Sequence, residues 1–274
     1  MTEQEMAKNN LIFKAITGSK LYGTDTPKSD ADYVGVFVPD KEYVLGMKVC
    51  EQVEFKSNPS DSGRRNTKDD VDMTIYSLPK FIKLCSQNNP NIVELLFVDD
   101  KHTLVTTPYW EEIKANTSLF ISKKVQHTFL GYAHSQKQKV ISRNPEGNRR
   151  EYIEKFGYDV KFASHLIRLL VEGMELLNNG QLSFPITMNR YIRDVKEGKF
   201  TLEQVLAKAE ELESLVLQSS VSSKLPYSPN YDKLSQLQMT LLERYWKDKE
   251  CSQSKSTTYD PKSLVRYLKT FLTK

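Results

Sequence analysis

Strand-type and helix-type patterns occupy different parts of this sequence, and that separation restricts the fold more than any other feature. Short runs rich in β-branched and aromatic residues lie in the first third of the chain. These runs are Leu11–Thr17, Tyr33–Val38, Val53–Lys56 and Val71–Tyr76. Apolar residues at helical spacing dominate from Leu78 onward. The sequence therefore predicts an α+β fold, with a small mixed β-sheet domain (residues 1–118) followed by a mostly helical domain (residues 119–274).

Helical spacing is strongest in four segments of the second domain, and the predicted helix over Tyr152–Asn178 has the clearest pattern. The other three are Leu119–Ser142, Leu202–Val221 and Asp232–Lys249. A polar stretch with Pro, Gly and Ser predicts a loop over Asn58–Asp69, and a last short helix is predicted over Leu264–Leu272.

Bulk composition excludes several classes of protein. The chain has 274 residues, a formal net charge of +4 and 39% hydrophobic residues, which is ordinary for a globular protein. The three cysteines are far apart, so neither a disulfide framework nor a structural zinc site is expected. The N-terminus has no apolar signal core, and no apolar run approaches the roughly 20 residues of a membrane helix. We therefore expect a cytoplasmic protein with no membrane partner.

Two carboxylates, Asp30 and Asp32, stand at the entry of the apolar strand that ends at Val38. Alternate side chains of a strand face the same side, so both carboxylates are predicted to point together. Like charges in such a place repel each other unless a cation lies between them. Oxygen ligands suit Mg²⁺ or Mn²⁺, and the alternative is a solvated strand start.

A third acid from a neighbouring strand would complete a metal site. Asp72, at the start of the strand Val71–Tyr76, is the first candidate, and Asp70 has the same parity and is the reserve. Such a group of acids can hold two Mg²⁺ ions about 4 Å apart, which stabilise both oxygens of a phosphoryl displacement.

A Gly-Ser turn, Gly18-Ser19, precedes the acids by about ten residues. Backbone N–H groups in such turns bind phosphates. The segment GSKLYGT is not a Walker A loop, because Thr-Asp follows Gly23 where Lys-Ser/Thr would be needed. Lys20 is predicted either to help bind phosphate or to face solvent.

Three residues of the second domain form a cationic stripe: Lys161, His165 and Arg168 are spaced to share one face of a helix. Leu166, Leu169 and other apolar residues occupy another face. Such a helix can bury one stripe and direct the other at a phosphate, whereas the simpler interpretation is a solvated helix face.

The motifs together resemble the nucleotidyltransferase superfamily of DNA polymerase β. GSKLYGT is similar to its GSxxYGT segment, and SDADYVGVFVP to its SDxDxxGV segment. TIYSLPKFIKLCSQNNPNIVELLF is similar to its strand, L-x-KF helix and NPN-x-x-E-x-L segment. YDVKFASHLIRLL resembles a later helix, and LPYSP fits the tail. Within the superfamily the chain resembles a bacterial and phage group associated with RNA-repair ligases.

The resemblance implies Mg²⁺-dependent transfer of a nucleoside monophosphate from an NTP to a hydroxyl. The first domain would be catalytic and the second would bind substrate. Asp30 and Asp32 would bind two metal ions (Mg²⁺ or Mn²⁺), and Asp72 the ion at the acceptor. Nucleotide-binding residues would be Gly18, Ser19, Lys20, Lys161, His165 and Arg168.

The acceptor stays open at this level. An RNA 3′ end, as in tRNA or RNA repair, is favoured by the mild basicity, and a protein or small molecule is the alternative. A non-catalytic nucleotide or RNA binder and a toxin-like enzyme are competing functions. If phage-encoded, the protein would act in the host cytoplasm. Base preference, pathway and oligomeric state do not follow from the sequence.

Overall fold

The computed structural model of this chain describes residues 1–26, 29–57, 71–142 and 150–256. Asp70, the loop predicted over Asn58–Asp69 and the helix predicted over Leu264–Leu272 lie outside the described residues.

All four predicted strands are present, with ends close to the predicted ones. A fifth strand was not predicted, because its three residues are too short to show an alternating pattern. The strands are β1 (Leu11–Thr17), β2 (Ala31–Phe37), β3 (Gln52–Lys56), β4 (Val71–Ser77) and β5 (Thr103–Val105).

The strands form one mixed sheet in the order β3-β4-β2-β1-β5. The β2–β4 pair is parallel, and the neighbouring pairs are antiparallel. In this register Asp32 lies opposite Thr17 of β1 on one side and opposite Asp72 of β4 on the other. The sheet and the helices that follow it confirm the predicted α+β class.

Helices account for most of the remaining described chain. Two of them, Glu3–Asn9 and Asn189–Lys196, were not predicted from the sequence, and the first begins with a capping box formed by Thr2 and Glu5. The helices are α1 (Glu3–Asn9), α2 (Gly18–Tyr22), α3 (Leu78–Ser86), α4 (Pro90–Val93), α5 (Pro108–Ala115), α6 (Lys124–Ser142), α7 (Arg150–Phe156), α8 (Val160–Asn179), α9 (Asn189–Lys196), α10 (Leu202–Ser222) and α11 (Tyr231–Ser256). A short 3₁₀ helix, Glu94–Phe97, follows α4.

The prediction of a single helix over Tyr152–Asn178 is wrong, because the helical conformation is interrupted between α7 and α8. Gly157 has a φ of +80°, which ends α7 in the left-handed region. The carboxylate of Asp159 then caps α8 by accepting the backbone N–H of Lys161 at 2.9 Å and of Phe162 at 3.2 Å. Lys161 consequently lies in the first turn of a new helix.

The two faces of the sheet bury different apolar groups. Val34 and Val36 of β2 join the large core shared with the helices, whereas Phe37 packs into a small cluster with α1. Asp32 has the parity of Val34, so its side chain points to the helical side. The large core includes Phe81 and Leu166, from both predicted domains. The division at residue 118 stays a prediction.

Candidate active site

Asp32 and Asp72 lie side by side at the start of the two parallel strands, β2 and β4. Side chains opposite each other in a parallel pair share a face, so both carboxylates face the helices. Asp30 immediately precedes β2 and is half-buried, as are Asp32 and Asp72. The parallel register therefore brings together acids that are far apart in the sequence.

Asp32 carries the electrostatic signature of a crowded acid. Burial, together with the charges of Asp30 and Asp72, raises the pKa of Asp32 from its ordinary 3.8 to about 6. Lys161 and Lys196 oppose that rise. Negative charge is thus concentrated near the first residues of β2 and β4 and is only partly neutralised by the two lysines.

Gly18 lies directly against this carboxylate. It follows Thr17, which pairs with Asp32, and has a φ of +65°. A Cβ atom built on Gly18 would collide with Oδ2 of Asp32 and lie 3.1 Å from its Cγ. The absence of a side chain lets the backbone of the turn approach the acids closely.

We expect Gly18→Ala to destabilise the fold by about 1 kcal/mol or more, because it combines a left-handed φ with a clash. The same substitution at Gly131 of α6 is a matched control, since no atom outside its own helix lies within 4 Å of an added Cβ. Gly131→Ala should stabilise by about 0.5–1 kcal/mol. Urea denaturation of both variants measures the difference, and equal behaviour would contradict the packing described for Gly18.

Ser19 and Lys20 form the first turn of α2 and are both half-buried. The turn closes when Thr24 donates its N–H to the carbonyl of Ser19 at 2.9 Å and Gly23 to that of Lys20 at 3.3 Å. Both residues therefore lie beside Gly18, and their phosphate contacts stay a prediction.

Lys196 of α9 is a residue of this site that the sequence interpretation missed. Its Nζ donates to the carbonyl of Thr24 at 3.2 Å, and Arg193 of the same helix donates to that of Gly23 at 2.6 Å. Burial and the charge of Lys161 lower the pKa of Lys196, while Asp25 and Asp30 raise it. The signal was a basic turn, RDVK, on a short helix, but nothing local linked it to the acids.

Arg168 has surroundings different from those the cationic stripe predicted. Its guanidinium is buried, with ion pairs to Glu172 at 2.7 Å and Glu94 at 3.3 Å. It also contacts Nε2 of His165 at 2.6 Å and lies 4.4 Å from the ring centroid of Tyr22. Lys161 is exposed at the start of the same helix. Nucleotide contacts of His165 and Arg168 stay predictions, and these surroundings support a role for Arg168 inside the protein.

A divalent cation suits the chemistry of the acids, although they are not gathered around one point. In the ranges that the structure describes, no group of three or more His, Cys, Asp or Glu side chains is clustered tightly enough to hold an ion. The donors are carboxylate oxygens, which Mg²⁺ and Mn²⁺ prefer. Their mutual repulsion at Asp32 is the effect that a bound cation would relieve.

Comparison with known proteins agrees with the fold and the motifs. The family model described as the RNA repair pathway DNA polymerase beta family, RlaP, matches residues 1–263. The chain belongs to the RlaP family. The membership confirms the resemblance seen in the motifs.

A 38.9 kDa protein of Enterobacteria phage T4, encoded in the nrdC–mobD intergenic region, is 33% identical to this chain over 130 residues. The match covers 47% of this chain and 38% of the phage protein, so the chain spans well under half of that relative.

Two solved structures are also similar. A nucleotidyltransferase-like protein from Exiguobacterium sibiricum is 12% identical, with 78% and 71% of the two chains covered and a TM-score of 0.31. Spectinomycin adenyltransferase AAD(9) from Enterococcus faecialis, solved with ATP and spectinomycin, is 14% identical, with 88% and 94% covered and a TM-score of 0.34. Scores this low carry no weight for the substrate. Within the described residues, every helix is too short or too polar to cross a bilayer.

Proposed function

We propose that the protein transfers a nucleoside monophosphate from an NTP to a hydroxyl group of RNA, with a 3′ end as the acceptor. The proposal rests on the surroundings of one carboxylate. Asp32 lies opposite Asp72 in the sheet and against the turn at Gly18. The positive charges of Lys161 and Lys196 act on the same carboxylate. Anionic and cationic groups facing one another at a glycine turn suit a metal-bound triphosphate.

Asp30, Asp32 and Asp72 would hold two divalent ions, Mg²⁺ or Mn²⁺, after drawing closer together. When bound, such ions supply charge neutralisation at the triphosphate and a lowered pKa at the acceptor hydroxyl. The chain's own groups do the rest. Gly18 admits the phosphates to the backbone N–H groups of the turn, and Lys161 and Lys196 bind phosphate oxygens.

Two observations support RNA as the acceptor. The family is described as belonging to an RNA repair pathway, and the chain carries 39 basic against 35 acidic residues. Net positive charge favours association with a polyanion.

The test is incubation with each labelled NTP, Mg²⁺ or Mn²⁺, and total cellular RNA, beside the Asp30→Asn/Asp32→Asn double variant. Label that enters RNA only with the wild-type protein supports the proposal and identifies the base. Label on protein, or pyrophosphate release with a small-molecule acceptor only, overturns RNA as the substrate. NTP binding without turnover on any acceptor overturns the catalytic role.

Lys196 gives a separate prediction for the nucleotide. Lys196→Ala should raise the KM for NTP about tenfold or more, because a charged hydrogen bond to a phosphate contributes about 1.5–3 kcal/mol. Lys199 is the matched control: it is exposed and pairs with Asp194 and Glu197. Lys199→Ala should change the KM less than twofold. Steady-state kinetics with varied NTP checks both, and a KM unaffected by Lys196→Ala would contradict the assignment.

A further inference from the structure

Three segments that resemble family motifs contain polar residues that the acidic site does not use. Tyr22 comes from GSKLYGT, Glu94 from NPNIVELLF, and Arg168 from YDVKFASHLIRLL. The fold brings them together. The hydroxyl oxygen of Tyr22 lies 2.9 and 3.0 Å from the two carboxylate oxygens of Glu94, and the guanidinium of Arg168 lies over the ring of Tyr22. Glu172 completes this buried cluster, which also contacts His165 and Asn91.

Charge balance and the distances to Arg168 indicate which of the two carboxyl groups keeps a proton. The cluster holds one guanidinium and two glutamates, and their side chains are 7% (Arg168), 4% (Glu94) and 0% (Glu172) exposed. Glu172 has two short contacts with Arg168, at 2.7 and 2.9 Å, whereas Glu94 lies 3.3 Å away. Glu172 is thus the ionised partner, since a second buried negative charge would have no counterion. Burial raises the pKa of both carboxyl groups, that of Glu94 to about 8, and Arg168 opposes the rise at Glu172 through a hydrogen bond as well as through its charge.

The cluster connects α2 and α8, and each of these helices also carries a residue that acts on Asp32. Helix α2 has Gly18 at Asp32 and Tyr22 at its other end. Helix α8 has Lys161 acting on Asp32 and Arg168 seven residues later, which is about 10 Å along the axis and on nearly the same face. Because Tyr22 is held against Arg168, the distance between the turn at Gly18 and Lys161 is held constant as well.

We propose that Tyr22, Glu94 and Arg168 are positioning residues for the triphosphate, and that Glu94 works as a neutral carboxylic acid. The proposal rests on the proposed function, because the turn and Lys161 are its phosphate-binding groups. A neutral carboxylic acid at Glu94 hydrogen-bonds with the phenol of Tyr22 and adds no second negative charge beside the Arg168–Glu172 ion pair.

The test measures equilibrium binding of a fluorescent, non-hydrolysable NTP analogue with Mg²⁺, together with KM and kcat for transfer. Tyr22→Phe should keep the ring under Arg168 and weaken binding about fivefold or more in a folded protein. Glu94→Ala should weaken it at least as much, and Glu94→Gln should restore most of that loss, because glutamine resembles the protonated acid. The double variant Tyr22→Phe/Glu94→Ala should lose little more than either single one.

Tyr109 offers a matched control away from the site. Its hydroxyl bonds to Asp248 at 2.6 Å, and Arg244 lies 5.0 Å from its ring centroid, so the same three group types meet there. Tyr109→Phe should leave analogue binding unchanged.

Three outcomes would overturn the proposal. If Glu94→Gln binds as weakly as Glu94→Ala, the neutral acid is wrong. If Tyr22→Phe and Glu94→Ala lower thermal stability but bind normally while folded, the cluster is only structural, and the proposed function stands. If the wild-type protein binds no nucleotide, the proposed function and the positioning role both fail.

Discussion

Replacing Asp32 with asparagine should abolish nucleotidyl transfer and make the metal-free protein more stable. Activity should fall by about a thousandfold or more, because the variant removes a ligand shared by both proposed ions and the charge that attracts them. Stability should rise because the charge of Asp32 is partly buried and is also repelled by Asp30 and Asp72. A functional residue that costs stability is expected at an active site.

The sign of the pH effect follows from the raised pKa of Asp32. The folded state has a pKa of about 6 against an ordinary 3.8, so the folded protein binds the extra proton between these values. The free energy of unfolding attributable to this group therefore falls as pH rises from about 4 to 6 and stays lower above. Asparagine does not titrate, so the stability of Asp32→Asn should not fall over this pH range. At pH 7.5 the variant should be more stable than the wild-type protein by on the order of 1 kcal/mol, after the shift is discounted for solvent screening.

Thermal denaturation with and without Mg²⁺ or Mn²⁺, in parallel with transfer assays, measures both effects. Added metal should raise the Tm of the wild-type protein and not that of Asp32→Asn. Asp194→Asn, at a partly exposed carboxylate paired with Lys199, is the control and should change neither activity nor the response to metal. Transfer that persists in Asp32→Asn, or a lower metal-free Tm, would refute the assignment of Asp32.

Replacing Arg168 with methionine should lower the free energy of unfolding by about 3–5 kcal/mol. The variant leaves the ionised Glu172 buried without its cation, and an uncompensated buried charge is among the most destabilising single changes. The cation–π contact between Arg168 and Tyr22 is lost as well. This is the largest effect on stability that we expect from one substitution.

The deficit should shrink as pH falls. Without Arg168 both carboxyl groups favour their protonated forms in the folded state even more, so low pH relieves the penalty and high pH increases it. Urea denaturation at pH 5.5 and pH 8 checks the magnitude and the sign.

Arg244→Met is the comparison, because Arg244 forms a partly exposed pair with Glu112, with side chains 40% and 31% exposed. That variant should lose less than about 1 kcal/mol at either pH. A similarly small loss for Arg168→Met, or a larger deficit at low pH, would mean that the buried cluster is not organised as described.

The local sequence pattern predicted an element correctly where the pattern lies within one short segment. Alternation and β-branched residues located β1 to β4, and the Asp30–Asp32 spacing located the acidic strand entry. The pattern failed over Tyr152–Asn178, because apolar periodicity continues across Gly157 and Asp159 even though they end one helix and begin the next. Strand β5 and helices α1 and α9 were too short to be recognised.

The sequence by itself determined the α+β class, the strand that carries Asp30 and Asp32, and the family motifs, because each depends on residues close together in the chain. Tertiary structure decided that Asp72 lies opposite Asp32, since a parallel register is set by the packing of whole strands. It also brought Lys196 of α9 to the site and buried Arg168 among acids from separate segments. Such long-range pairings leave no local trace, because spacing along a helix shows which residues share a face but not what that face meets.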